Sequence, residues 1–134
     1  MKVRTSRKSG FTLVEIMIVV AIIGLLAAIA IPNFVRARSR AQQNTCINNL
    51  RQIDGAKQQW ALETRQQSTA VPGVNDIAPY LGRAGSIAGI VCPAGGGADF
   101  NASYTINAVN QPPVCNIMGN DTQYPHRLPD VGTP

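Results

Sequence analysis

At 134 residues the chain has room for one domain with a modest core, which excludes a large multi-domain enzyme. It is 45% hydrophobic but only 5% aromatic, so one very apolar block is offset by a polar, Gly- and Pro-rich remainder. The net charge of +5 invites a nucleic-acid reading, yet four of the twelve basic residues, Lys2, Arg4, Arg7 and Lys8, lie in the first ten positions and the rest is close to neutral, so the basic balance belongs to a leader.

Residues 1–10 form that basic leader. Residues 11–31, FTLVEIMIVVAIIGLLAAIAI, hold a single charge, Glu15, and a single hydroxyl, Thr12. As a helix they extend roughly 31 Å, which matches the hydrocarbon thickness of a bilayer. The block exceeds the apolar core of a secretory signal peptide. Ala28-Ile29-Ala30 offers an A-x-A cleavage pattern, but the acid inside the block and Pro32 just after that cut argue against it. The leader charges favour a cytoplasmic N-terminus, although Arg36, Arg38 and Arg40 on the far side narrow the margin.

Residues 32–67 resume helical character after Pro32, with Gly55 the only interruption. Cys46, Leu50, Ile53, Trp60 and Thr64 fall on one stripe, Lys57 covering the gap with its aliphatic stem. Asn48, Asn49, Arg51, Gln52, Gln58, Gln59 and Arg65 are assigned to the opposite, polar face. Residues 68–134 form a Gly- and Pro-rich head. A short helix is expected over Val74–Leu81, capped by Asn75 or Asp76 and stopped at Gly82. Short strands are expected over Ile87–Val91, Tyr104–Val109 and Val114–Met118, with turns at Gly95–Gly97, Asn101 and Pro112-Pro113. The fold class that follows is α+β: a long N-terminal helix, half transmembrane and half amphipathic, packed on a small antiparallel sheet.

The three cysteines lie beyond the apolar block. Cys92 and Cys115, on neighbouring expected strands, are the disulfide candidates, with Cys46 left free; Cys46 bonded to either of the others is the alternative. The three cysteines and His126, the only histidine, match a zinc site by count, but no pair shows C-x-x-C spacing and no metal site is expected. Nothing in the sequence sets a cysteine beside His126 as a nucleophile would need, and Gly95–Gly97 lacks the Lys-Ser or Lys-Thr of a phosphate loop. No cofactor and no enzymatic activity are expected.

Glu15 carries the functional reading. A carboxylate within a membrane span costs roughly 2.5–3.5 kcal/mol and therefore needs a partner or a task. The apolar block contains no base. A cut before Phe11 would create an α-amino group one helical turn from Glu15, able to meet it within one subunit or across two.

The run Ser9-Gly10-Phe11-Thr12-Leu13-Val14-Glu15, with Gly24 and Pro32 behind it, resembles the cleavage and methylation signature of type IV prepilins and type II secretion pseudopilins. The resemblance covers positions 1 to about 34. It implies that a prepilin peptidase cuts between Gly10 and Phe11 and N-methylates Phe11, that Phe11 and Glu15 pair during subunit assembly, and that Gly24 and Pro32 bracket a helix segment able to melt or kink. The acidic calcium loop of major secretion pseudopilins has no counterpart here, since Asp99, Asp121 and Asp130 are scattered. The implied function is a structural subunit of a type IV pilus or related filament. The alternatives are a secretion pseudopilin and a non-polymerising single-pass membrane protein with a binding head. The implied partners are identical or related subunits, the peptidase, an inner-membrane assembly platform, membrane lipid and, through Arg36, Arg38 and Arg40, DNA. The implied location is the inner membrane as a precursor and a periplasmic or extracellular filament afterwards.

Overall fold

The computed structural model describes residues 10–81, 86–95 and 99–129. Residues 1–9 of the leader, Gly82, Gly96, Gly97 and Asp130 lie outside these. The chain divides into two compact units, Met1–Ala37 and Arg38–Pro134. Helix α1 spans Leu13–Thr64 with Pro32 inside it, α2 spans Val74–Ile77 and continues as a 3₁₀ turn over Ala78–Tyr80, and α3 spans Phe100–Ser103. Strands β1 (Tyr104–Thr105) and β2 (Val114–Cys115) pair antiparallel, Tyr104 opposite Cys115. This is the α+β class expected.

In the first unit, every described residue from Phe11 to Ala37 is exposed except half-buried Ala27. Apolar side chains point out all round the helix, from Phe11 at 88% exposure to Phe34 at 71%. Such a surface is satisfied by lipid or by other helices, not by water. Pro32 lacks the N–H that would bond the Ala28 carbonyl, a loss of one helical hydrogen bond within the apolar stretch.

In the second unit, α1 buries Cys46, Leu50, Ile53, Ala56, Lys57 and Ala61. The stripe is thus shifted from the expected one: Trp60 is only half-buried against the core and Thr64 is exposed, because the small Ala56 and Ala61 are what let the head approach. Ile77, Leu81, Ile90, Phe100, Tyr104 and Ile106 complete the core, with the Phe100 and Tyr104 rings edge to face at 5.8 Å, a favoured aromatic geometry.

The expected strand at Ile87–Val91 is a turn, Ile90 N–H donating to the Ile87 carbonyl at 3.0 Å; Ala88-Gly89 closes it and leaves no run to pair. The other two strands are trimmed to two residues each. Asn101 lies in α3, whose first turn is capped by the Asp99 carboxylate accepting from Ala102 N–H at 2.8 Å. Asp76 caps α2 from inside the helix, accepting from Gly73 N–H at 2.8 Å.

With so little sheet, backbone carbonyls of the head need other donors, and side chains of α1 supply them. Gln43 Nε2 donates to Pro125 O at 2.9 Å, Asn49 Nδ2 to Val91 O at 3.1 Å and Gln58 Nε2 to Val109 O at 3.1 Å. Lys57, fully buried, donates from Nζ to Ala108 O at 3.0 Å and Gln111 O at 2.5 Å. Asn49 and the exposed Gln58, expected on the solvent face, therefore each reach a carbonyl of the head, and Lys57 fills the buried stripe as expected while its ammonium clamps loop 108–111.

Arg65 ends α1 with φ of 54°, and Gln66 N–H returns to Ala61 O at 3.0 Å, the hydrogen bond of a Schellman stop. A non-glycine residue is strained there, so Arg65→Gly is expected to stabilise the unit by about 1 kcal/mol, read as a raised unfolding midpoint of the detergent-extracted protein.

Candidate functional site: the helix start and the buried thiols

The N-terminal site is built from a helix-start signature. Thr12 precedes α1, and Glu15 sits three residues later. Thr12 N–H and the Thr12 hydroxyl both donate to Glu15 Oε2, each at 2.8 Å, while Glu15 N–H donates to Thr12 Oγ1 at 3.2 Å. This is a capping box, which satisfies orphan donors of the first turn and places a carboxylate at the positive end of the helix dipole. The apolar block holds no base for Glu15; its partner in the structure is neutral, Thr12. The T-x-x-E spacing was visible and carries that signal. Both bonds from Thr12 fall on one oxygen, and a carboxylate has further acceptor capacity for a cation.

Gly10 and Phe11 directly precede the cap and are exposed. Beyond its chain neighbours and the backbone of its own helix turns, Gly24 has no atom within 4 Å of where a Cβ would stand. Nothing within the subunit demands a glycine there, which leaves helix weakening, about 1 kcal/mol relative to alanine, or contact with something outside.

In the second unit the structure brings together residues that the sequence keeps far apart. Cys46 in α1, Cys92 in the loop after the Ile87–Ile90 turn, Cys115 in β2 and His126 in the terminal segment are all buried, and their ligand atoms lie within 4.8 Å of one another. Cys92 Sγ and His126 Nδ1 are 3.4 Å apart, and Tyr104 Oη donates to Cys46 Sγ at 3.6 Å. All three cysteines are unbridged thiols. The Cys46 thiol donates to Cys115 and holds it down to about 5, backbone N–H groups of Met118 and Ile117 acting in the same direction against burial. That same hydrogen bond and burial push Cys46 up, and burial pushes Cys92 up.

The prokaryotic N-terminal methylation motif matches residues 5–31, the stretch that holds Gly10, Phe11 and the capped Glu15. The chain has a prepilin-type N-terminus. It is 48% identical over 62 residues to the type IV major pilin protein PilA of Myxococcus xanthus, an overlap of 46% of this chain and 28% of that pilin. A fimbrial protein of Pseudomonas aeruginosa is 42% identical over 66 residues, 48% of this chain and 43% of the fimbrial protein. The type II secretion system core protein G of Aeromonas hydrophila is 30% identical over 71 residues, 53% of this chain and 50% of that protein. The chain thus spans half or less of the length of these relatives. No solved structure matches it. Among the described residues one helix, α1, is long and apolar enough to cross a membrane, with a mean hydropathy of 2.9 in its most apolar window, and it fits membrane anchoring.

Proposed function

We propose that this chain is the precursor of a filament subunit of the type IV pilus class. A prepilin peptidase removes residues 1–10 and methylates the Phe11 amine. The apolar part of α1 then serves first as an inner-membrane anchor and afterwards as the spine along which identical or related subunits pack. The observation that carries this reading is the helix start: a capped acid, Glu15, opens an apolar surface exposed all round, and the leader cut adds an amine next to the cap. Glu15 Oε2 is engaged by Thr12, and the remaining acceptor capacity would receive the Phe11 amine of an adjoining subunit, which fixes their axial stagger. Gly24 and Pro32 mark where the helix would yield on packing.

Peptide mapping of the membrane-extracted protein tests it. The expected mature terminus is Phe11 carrying one methyl group; a chain still starting at Met1, or starting after Ala30, overturns the reading. The similarity to core protein G favours a second form of the same function, a periplasmic pseudopilus assembled by a secretion platform. Surface fibres bound by an antibody to the head support the pilus; their absence together with failed protein export in a deletion strain supports the pseudopilus. A processed subunit that never enters fibres of either kind supports a membrane protein with a binding head.

A further inference from the structure

We propose that Cys46, Cys92, Cys115 and His126 form a closed Cys₃His site for a structural zinc ion in the head. Zinc takes four thiolate and imidazole ligands tetrahedrally, at roughly 2.3 Å for sulfur and 2.0–2.1 Å for nitrogen. Such a tetrahedron places sulfurs about 3.8 Å apart and sulfur and nitrogen about 3.6 Å apart. The four ligand atoms already lie within 4.8 Å, with the Cys92 and His126 pair at 3.4 Å, so binding requires a contraction of no more than about 1 Å.

The surroundings are those of a thiolate metal centre. Cys92 and Cys115 each open a tight turn. In the first, Cys92-Pro93-Ala94-Gly95, Gly95 N–H returns to Cys92 O at 3.0 Å. In the second, a Cβ at Gly119 would collide with the Cys115 carbonyl oxygen. The third sulfur, Cys46, accepts from Tyr104, whose hydroxyl is oriented by Asn49 Nδ2 at 3.0 Å. Cys46 thus has an outer hydroxyl donor, and such second-shell donors orient and stabilise ligands. The dication replaces the thiol protons, which leave as it binds, and draws in all four ligands.

The rest of the head shows why an ion is needed. The terminal segment 120–129 has no helix or strand, yet it inserts a histidine that is 1% exposed. Four ligands from the helix, a loop, a strand and this tail tie together a unit whose sheet is two residues long per strand, too little to stand alone. This inference is independent of the filament reading.

The test uses the full chain, extracted from membranes in mild detergent without chelator or added metal. The expected result is about one zinc per chain by mass spectrometry and, after denaturation with chelator but without reductant, three cysteines open to alkylation. Exchange with cobalt is expected to give the intense visible bands of a tetrahedral centre together with thiolate charge transfer. Cys115→Ser should lower zinc content more than about tenfold, and His126→Cys should keep one metal while moving the cobalt spectrum towards four-sulfur ligation. If Cys115→Ser does not accumulate, the cobalt spectrum of the unaltered protein decides. A zinc-free protein overturns the proposal, whether it has three thiols or one thiol and a Cys92–Cys115 or other disulfide. So does a different metal, or zinc retained undiminished in Cys115→Ser.

Discussion

Glu15→Ala is expected to be processed at Phe11 and held in the membrane, yet to enter fibres more than about a hundredfold less than the unaltered chain. A lone amine among hydrocarbon side chains costs about 3–5 kcal/mol once its partner charge is removed, and each 1.4 kcal/mol is a factor of ten in assembly. The capping box makes a sharper experiment available. Glu15→Gln keeps an oxygen for Thr12 N–H and the Thr12 hydroxyl, so the helix start survives while the charge is lost. If pairing with the Phe11 amine drives assembly, Glu15→Gln fails as badly as Glu15→Ala; if capping alone matters, it assembles normally. Thr12→Val completes the set by removing the hydroxyl, a cap effect of about 1 kcal/mol that leaves the charge in place. Sheared-fibre yield, quantified beside the mapped N-terminus, reads all three. A normal yield from Glu15→Ala would dispose of the pairing idea.

Lys57→Met is the second large effect, expected to destabilise the head unit by about 2–4 kcal/mol. Methionine fills the volume of the stem, but the Ala108 and Gln111 carbonyls lose the donor that holds them. At about 4–8 °C per kcal/mol for a unit near this size, the unfolding midpoint should drop by at least about 8 °C. Amide exchange should rise first in the loop around residues 108–111. Burial pushes the Lys57 ammonium below its ordinary 10.5, with Asp54, at 3.4 Å, opposing that shift. Between the lowered value and 10.5 the unfolded chain binds more protons than the folded one, so this residue makes stability rise with pH across that window. The difference between parent and variant should therefore grow as pH rises through that window, because the slope contributed by Lys57 is present in the parent and absent in Lys57→Met. A variant as stable as the parent would show that the loop holds itself.

What the sequence revealed, and what it hid, follows from the range of the forces involved. Local signals were legible. The uninterrupted apolar run over residues 11–31 and the lone acid within it announce a helix that water cannot cover, and helix-forming composition carries α1 past Pro32 to Thr64. Thr12 and Glu15 show their capping spacing too, although the search for a charged partner passed over it. The face of α1 was less legible. A polar residue such as Asn49 or Gln58 counts as solvent-facing in any periodicity argument, yet here each reaches the head because a nearly strandless head offers carbonyls instead of side chains. The Ile87–Val91 run has strand composition, but Ala88-Gly89 turns it before it can pair. The meeting of Cys46, Cys92, Cys115 and His126 has no local signature. Their spacings of 46, 23 and 11 residues carry no motif, and only the packing of four elements creates the cluster.

The way α1 stitches the head together by its amides and ammonium has a consequence for engineering. Residues 43–58 belong to the head as much as its loops do, since Gln43, Asn49, Lys57 and Gln58 complete the hydrogen bonding of segments 42 to 82 positions away in the chain. A chimera that takes residues 1–37 from a relative and keeps everything afterwards from this chain carries its donors with it. One joined beyond Thr64 would graft the loops onto a foreign helix whose surface was matched to a different set of acceptors, and the transplanted part would lack its stitching.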